Sequence, residues 1–506
     1  MPWTPTEKDL KDYPHFDRVL TLAEIEALVF DPALVAKHKF LPFLHFSKTW
    51  RRSPIGQKNG EKKVRAPKER SIRYAARQDA YIYKAYREIL SDAYEQQLIV
   101  NGLQDNILAY RRIPKGNGSP RNKSNIEFAK DAFERIDQLG RCCAVAIDIS
   151  KYFDSMCHER IKRTWADLLG ETILPDDHYA VYKNLTKYRW VDRDRAFIAL
   201  GYSELDKDGR LSFKVDPDTI PSKICTTDQF KRKIADAGLV NKNDKAWGIP
   251  QGAPLSDVLA NSYLLEFDRE MKTFADKRGG FYFRYSDDIL FLLPGDGRTA
   301  KSAFKRAESS IRKMGSELKI KPEKTEICCF TGEIAPVRNY SMAFSDDGSR
   351  LFRTSENQGL SYLGLRYDGL NFYLRSSTIN NVKGKMRRSC RATATNHVDR
   401  HQNKNLTWLL ENAPFSELVQ RFFQVKDFEK SVSDARANGG NVFKKMTFFT
   451  YSERAAIAFG SSGAGIRRQT RALKRQLSKM LDQEIVSKYQ TKTERLEIKL
   501  AKRHRS

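Results

Sequence analysis

Apolar residues recur three and four positions apart in six stretches, and each predicts a helix packed by one face. The stretches are 22–29, 79–100, 126–138, 156–170, 255–272 and 301–317, and the second sets Tyr83, Tyr86 and Leu90 on one side. Short unbroken apolar runs predict buried strands instead, at Cys142 to Ile147, Ile327 to Phe330 and Tyr362 to Leu365. The run Phe281-Tyr-Phe-Arg-Tyr-Ser-Asp-Asp-Ile-Leu-Phe-Leu-Leu293 reads as two buried strands joined by a tight turn, with Asp287 and Asp288 at the turn. Gly248 to Pro254 is a turn opening a strong helix, whereas 171–247 is a long, basic, mixed region without a clear period. From about residue 380 the pattern turns basic and helical. There Gly460-Ser-Ser-Gly-Ala-Gly465 reads as a hinge. Leu473, Leu477, Leu481 and Ile485 form a stripe suited to an intramolecular helix face or to a seam between copies. Helices alternate with strands through the middle and stand alone at the end, which predicts an α+β chain. The expected divisions are an N-terminal extension over 1–60, a mixed core over 61–375 and a basic helical part over 376–506.

Charge narrows the partners. Lys and Arg number 90 against 63 Asp and Glu among 506 residues, a net charge of +27, which calls for a polyanion and most simply a nucleic acid. No run approaches the roughly 20 apolar residues needed to span a bilayer. The start, Met1-Pro-Trp-Thr-Pro-Thr-Glu-Lys8, lacks a basic and then apolar leader, so the cytoplasm is the expected location and no membrane partner is expected. Seven cysteines include the adjacent pairs Cys142-Cys143 and Cys328-Cys329, a spacing unsuited to zinc and typical of buried reduced thiols.

The acids carry the chemistry. Two carboxylates inside an apolar run are expensive to bury unless a cation offsets them. Asp148 closes the strand Ala144-Val-Ala-Ile147 and opens Asp148-Ile-Ser-Lys-Tyr-Phe-Asp-Ser155; on its own it fits a helix N-cap as well as a metal ligand. Together with Asp287 and Asp288 it fits a pair of divalent ions roughly 3.5–4 Å apart, the arrangement of phosphoryl transfer. Two Mg²⁺ ions are expected, with Mn²⁺ as a substitute. His158 is expected to be an ordinary solvated side chain.

These segments resemble those of the reverse transcriptases. Asp148-Ile-Ser-Lys-Tyr-Phe-Asp-Ser resembles the family's motif of a metal-binding Asp followed by aromatics, and Tyr285-Ser-Asp-Asp resembles its Tyr-x-Asp-Asp. Gly248-Ile-Pro-Gln-Gly-Ala-Pro-Leu-Ser-Asp-Val-Leu-Ala-Asn261 resembles its Pro-Gln-Gly motif, and the three occur in the family's order over about residues 60–370. The resemblance implies a right-hand polymerase fold, with fingers and palm over 61–375 and an α-helical thumb after it. It implies metal binding at Asp148, Ile149, Asp287 and Asp288, and Lys324, in Leu318-Lys-Ile-Lys-Pro-Glu-Lys-Thr325, as a proton donor or screen for pyrophosphate. Nucleotide contacts fall to Arg70, Gln251, Gly252 and Phe153, the last as a ring excluding a ribose 2′-hydroxyl; Lys63 and Lys68 are weaker candidates. Gly248 and Gly252 are expected to let the backbone approach template or base. Nucleic-acid contacts fall to Tyr285, to Gly364 in the turn Tyr362-Leu-Gly-Leu365, and to Lys383, Lys385, Arg387, Arg388 and Arg391. The implied partners are an RNA template, dNTPs and the DNA product.

Ala109-Tyr-Arg-Arg112 and the helical extension resemble the defence-associated, abortive-infection branch of bacterial reverse transcriptases. That branch implies a dedicated noncoding RNA and, in some members, oligomers or priming from a protein hydroxyl. Group II intron and retron-like enzymes, an RNA-dependent RNA polymerase, an untemplated nucleotidyltransferase and a non-catalytic RNA scaffold or maturase remain as alternatives.

Overall fold

The computed structural model describes residues 3–50, 55–56, 62–63, 67–116, 121–333, 336–345, 347–423 and 447–503. It forms two compact units. The first comprises Met1–Arg111, Ile147–Phe291 and Lys301–Thr325, and the second Arg112–Ala146, Leu292–Ala300 and Glu326–Ser506.

In the first unit a four-stranded sheet runs in the order Lys68–Tyr74, Phe43–Trp50, Arg189–Asp192, Val240–Lys242. The outer pairings are antiparallel and the central one is parallel, with Leu44 opposite Val191. Phe16, Leu44, Val191, Phe197, Ile224 and Ile234 bury one another beneath it. The region over 171–247, shapeless in the sequence, therefore supplies two of this sheet's strands and most of the core beneath it. Phe43–Trp50 pairs across the expected boundary at residue 60, and buried Arg77 donates to the carbonyls of Tyr13, Asp17 and Ser222. Both contacts tie the N-terminal segment into this unit. The helix Arg77–Val100 buries Tyr83, Tyr86, Leu90, Tyr94 and Leu98 at helical spacing. The single helix expected over 255–272 is two, Ser256–Tyr263 and Leu265–Asp276, separated at Leu264.

In the second unit the amino-terminal part of the strand Arg141–Ser150 pairs with Glu326–Thr331, which pairs with Asn339–Phe344 and then Leu351–Glu356, all antiparallel. A three-stranded sheet, Leu360–Tyr362, Leu365–Tyr367 and Phe372–Leu374, follows. The expected strand over 362–365 is the turn between the first two of these, with Leu363 at φ +47° and Gly364 at φ +88°. Among the described residues six helices, Asn125–Leu139, Ser376–Arg400, Leu406–Glu411, Phe415–Phe423, Phe448–Ala458 and Ala464–Arg503, belong to the same unit. Leu473, Leu477, Leu481 and Ile485 are buried against Val382, Met386, Cys390 and Val398. The stripe is thus an intramolecular face, and the ground it offered for self-association falls away. The glycine run at 460–465 is not a hinge. A Cβ on Gly463 would lie 2.3 Å from the Ala456 carbonyl oxygen, and one on Gly465 would lie 2.5 Å from that of Phe372, so these glycines permit close packing.

All seven cysteines are free thiols; six are buried and Cys157 is half-buried. Burial pushes the Cys142 thiol up to about 12, which leaves it protonated and inert. Among the described residues no helix is long and apolar enough to cross a membrane.

Candidate active site

Strand alternation decides what Asp148 faces. Ile147 and Ile149 are buried, while Asp148 and Ser150 between and beyond them are half-buried on the other face. The Ile149 amide donates to the Asp287 carbonyl at 3.1 Å, so the two acidic segments meet through their main chains. Asp287 follows Ser286 in a turn between the strands Phe281–Tyr285 and Asp288–Pro294, as the apolar pattern predicts. Asp287 is half-buried and Asp288 exposed. The cost of burying two carboxylates, which first marked this segment, therefore does not apply to the pair as it stands.

Lys324, at the end of the short turn Pro322–Lys324, sets its Nζ 3.1 Å from Asp148 Oδ2 and 3.3 Å from Ser150 Oγ. Its ammonium is the cation beside Asp148. Among the described residues no group of three or more His, Cys, Asp or Glu side chains is placed to hold a metal ion by itself. Mg²⁺ does not need one: it retains waters and takes substrate phosphates, using one or two carboxylates at a time. The donor chemistry fits such an ion, with carboxylate oxygens on adjoining segments and Asp288 open to solvent. The Ile149 side chain is buried, so this residue could reach an ion only through its main-chain carbonyl, its amide being the group that donates to Asp287.

The turn is held by residues that the sequence reading gave no role. Arg284, fully buried, donates through Nη1 to the Ser286 carbonyl at 3.1 Å and to Asn261 Oδ1 at 3.2 Å. Its Nε and Nη2 each reach the buried carboxylate of Asp268 at 2.7 Å, and Tyr282 donates to the same carboxylate at 2.7 Å. Burial raises the Asp268 pKa and the Arg284 charge opposes that rise. An arginine two residues before the turn, inside an apolar run, was the available signal. Arg284→Met leaves Asp268 buried without its partner, and breaking such a pair costs about 3–5 kcal/mol. Urea denaturation is expected to show that loss, with the Asp268→Asn, Arg284→Met double variant recovering part of it.

Tyr110 is the second such residue. The segment before it runs beside Phe281–Tyr285, with amide-to-carbonyl bonds from Arg284 to Asn106 at 2.8 Å and from Leu108 to Arg284 at 2.9 Å. Asn261 fixes the next carbonyl, that of Ala109, at 2.7 Å. Tyr110 at φ +62° and Ser286 at φ +60° are both left-handed, and the Ser286 hydroxyl donates to that of Tyr110 at 3.2 Å. Two non-glycine residues in this costly conformation, bonded to each other beside Asp287, mark a constrained site. Burial, and then the Asp287 charge, raise the Tyr110 pKa, so its phenol stays protonated at neutral pH. Ser286→Ala and Tyr110→Phe are each expected to slow synthesis several-fold. The double variant is expected to lose little more, because both remove one bond.

The turn at 248–254 packs against the chain itself. Gly248, at φ +89°, leaves room for the Asp154 carbonyl, which a Cβ would meet at 3.1 Å. Gly252, at φ +117°, leaves room for the Arg73 carbonyl, which a Cβ would meet at 2.8 Å. These contacts give the glycines an intramolecular reason, separate from any approach to template. The Gln251 carbonyl accepts from the Arg73 amide at 2.9 Å, and the Arg73 guanidinium stacks on Tyr188 and Trp190. His158 is not solvated. It is buried, its Nε2 donates to the Gly248 carbonyl at 2.8 Å, and burial lowers its pKa, so it serves as a neutral brace for this turn. Asn243 donates to the same carbonyl at 3.3 Å.

The aromatic pair after Asp148 splits. Tyr152 is buried and bonded to the Ala260 carbonyl, whereas Phe153 is half-buried and its carbonyl accepts from the Ile249 amide at 2.9 Å. Arg70 is exposed on its strand, 5.9 Å above the Trp50 ring. The side chains of Lys63 and Lys68 lie outside the described residues. Tyr285 is half-buried beside the acids.

In the second unit Gly364 has nothing nearer to its missing Cβ than Tyr451 Oη at 3.8 Å, so its positive φ and not crowding calls for glycine. The adjoining Leu363 carbonyl is held by Asn125 at 3.0 Å. On the helix Ser376–Arg400, Lys385, Arg387 and Arg388 are exposed and Lys383 is half-buried. Arg391 differs from these, because its fork is engaged by Glu484 at 3.1 and 3.3 Å.

Solved structures similar to this chain include telomerases. Apo telomerase from Candida tropicalis truncated from its C-terminal domain matches with a TM-score of 0.35 and 11% identity, over 72% of this chain and 63% of that one. Telomerase from Candida albicans in complex with the TWJ fragment of telomeric RNA matches at 0.34 and 11%, over 88% and 66%. The chain therefore spans just under two thirds of each of these two. No curated protein matches it in sequence. Residues 66–367, well over half of the chain, match the family described as reverse transcriptase (RNA-dependent DNA polymerase), and the chain belongs to that family.

Proposed function

We propose that this protein polymerises deoxynucleotides on an RNA template, with Asp148, Asp287 and Asp288 as the acids of a two-Mg²⁺ phosphoryl-transfer site that also accepts Mn²⁺. The bond from the Ile149 amide to the Asp287 carbonyl carries this reading, because it joins the two acidic segments of a family member at one place. When bound, the ions would lower the pKa of a primer 3′-hydroxyl and offset charge on the leaving pyrophosphate. Lys324, beside Asp148, supplies a positive charge and an exchangeable proton for that pyrophosphate. Arg70 presents a planar fork to the triphosphate, Gln251 and Gly252 border the nucleotide, and Phe153 sets the sugar preference. The acids, Phe153, Gln251 and Gly252 fall within 61–375 as fingers and palm, to which the segment before residue 60 adds a strand. The basic helices over 376–506 act as thumb, with Lys383, Lys385, Arg387 and Arg388 tracking phosphates. Arg391 joins them only by leaving Glu484. Gly364 lets the main chain meet the primer.

The finer reading is a cytoplasmic, bacterial, defence-associated enzyme working with a noncoding RNA. The segment Ala109–Arg112 and the long helical C-terminal part support it. The test is incorporation of labelled dNTPs and NTPs by purified protein, with defined RNA templates and with the nucleic acid that copurifies. Mg²⁺-dependent, template-directed DNA products are expected. Products independent of template sequence would replace polymerase with untemplated transferase, and an inert protein would favour the scaffold.

A further inference from the structure

We infer that the helical part of the second unit holds a pocket for one unpaired nucleotide of a bound single strand. The inference rests on the proposal that this part tracks nucleic acid. A cavity of about 800 Å³ opens between the helices Ser376–Arg400 and Phe415–Phe423 and the start of Phe448–Ala458. Lys385, Arg388, Arg421, Phe422, Phe448 and Ser389 are among its walls. None of its lining residues is acidic, and among the described residues none of the three cations is engaged by a carboxylate. Two other cavities differ. One is lined by Glu411 and Asp482, and in the other Glu270 engages Arg306. Cations around one hollow that no carboxylate among the described residues offsets favour an anionic occupant.

The rings narrow the occupant further. Phe422 and Phe448 are half-buried cavity walls, and an aromatic wall beside phosphate-binding cations is the combination used for unpaired bases. A base held inside a duplex cannot turn into such a hollow, and a pocket of roughly 300–1,000 Å³ suits one small ligand. Lys385 and Arg388, one turn apart, then hold the flanking phosphates. The amino terminus of the helix Phe448–Ala458 adds its positive end, with Thr447 as its cap.

The test uses the full chain and labelled oligo-U, oligo-dT and a blunt RNA duplex. Phe448→Leu is expected to weaken both single strands by roughly tenfold at unchanged salt dependence, to leave the duplex unaffected, and to be rescued by Phe448→Tyr. Lys385→Gln is expected to lower the salt slope by about one. Oligo-U carrying 4-thiouridine is expected to crosslink to the peptides bearing Phe422 or Phe448, which reads the pocket even where a variant is unstable. Equal loss for single strand and duplex in Phe448→Leu, or crosslinks only elsewhere, would overturn the pocket. Lys383→Gln with Arg387→Gln separates the two proposals. If that pair weakens every substrate while the Phe448 variant changes nothing, the phosphate-tracking surface stands and the pocket does not. If neither matters, the surface itself is rejected.

Discussion

Asp287→Asn with Asp288→Asn is expected to abolish DNA synthesis while leaving the protein folded. Asn keeps the size of Asp and removes the charge proposed to hold a divalent ion. Losing one group that stabilises transition-state charge costs on the order of 10²–10³ in rate, and losing both leaves no measurable product in an ordinary primer-extension assay. The fold is insulated from the change. Asp288 is exposed, and the turn's shape is fixed by main-chain groups: the Ile149 amide on the Asp287 carbonyl and Arg284 on the Ser286 carbonyl. The double substitution is therefore expected to shift stability by no more than about 1 kcal/mol, about 0.5 kcal/mol for each position. Mn²⁺ binding followed by electron paramagnetic resonance gives a readout apart from activity, and it should weaken in parallel. Lys324→Met is a milder case. It removes the cation beside Asp148 and is expected to slow synthesis without removing it. Undiminished synthesis by the double Asn variant would remove these acids from the chemistry and leave only the fold.

What could be read from the chain followed from how local each signal is. Helix periodicity placed 79–100 and 126–138 within two residues of Arg77–Val100 and Asn125–Leu139, because one apolar face repeats within each segment. The turn bearing Asp287 and Asp288 was legible because two adjacent carboxylates interrupt an otherwise apolar, aromatic run. Features made by distant partners were not. The parallel pairing of Phe43–Trp50 with Arg189–Asp192 has no local signature, since it depends on Leu44 and Val191 sharing one core. Arg284 has its partner Asp268 on a helix earlier in the chain, and nothing local to the strand reports that pairing. Tyr110 could not be linked to Ser286, because nothing in a sequence reports a left-handed φ at a tyrosine. The glycines at 460–465 misled for a related reason: composition signals freedom at a hinge and close packing in the same way. Gly463 and Gly465 answer to the second cause.

The role proposed for Phe153 separates deoxynucleotide from ribonucleotide chemistry. Phe153→Val is expected to cut the preference for dNTP over NTP by roughly 10–100-fold, the range set by a steric clash of a few kcal/mol. The effect should appear in KM and kcat for the ribonucleotide, with dNTP kinetics little changed, because a smaller side chain gives room to a 2′-hydroxyl and withdraws little from a deoxyribose. The structure supplies the control. Tyr152, adjacent in sequence, is buried with its hydroxyl on the Ala260 carbonyl, so Tyr152→Val opens a cavity and leaves that carbonyl without its donor. Substitutions of large buried aromatics cost about 3–5 kcal/mol. Tyr152→Val is therefore expected to lower the denaturation midpoint and to leave sugar preference in the surviving enzyme unaltered. At Phe153 only the carbonyl is engaged structurally, through Ile249, and a side-chain substitution preserves it. Two neighbouring aromatics should thus fail in opposite ways, one in selectivity and the other in stability. If Phe153→Val instead loses stability and keeps its full preference for dNTPs, this ring is part of the core and sugar selection resides elsewhere.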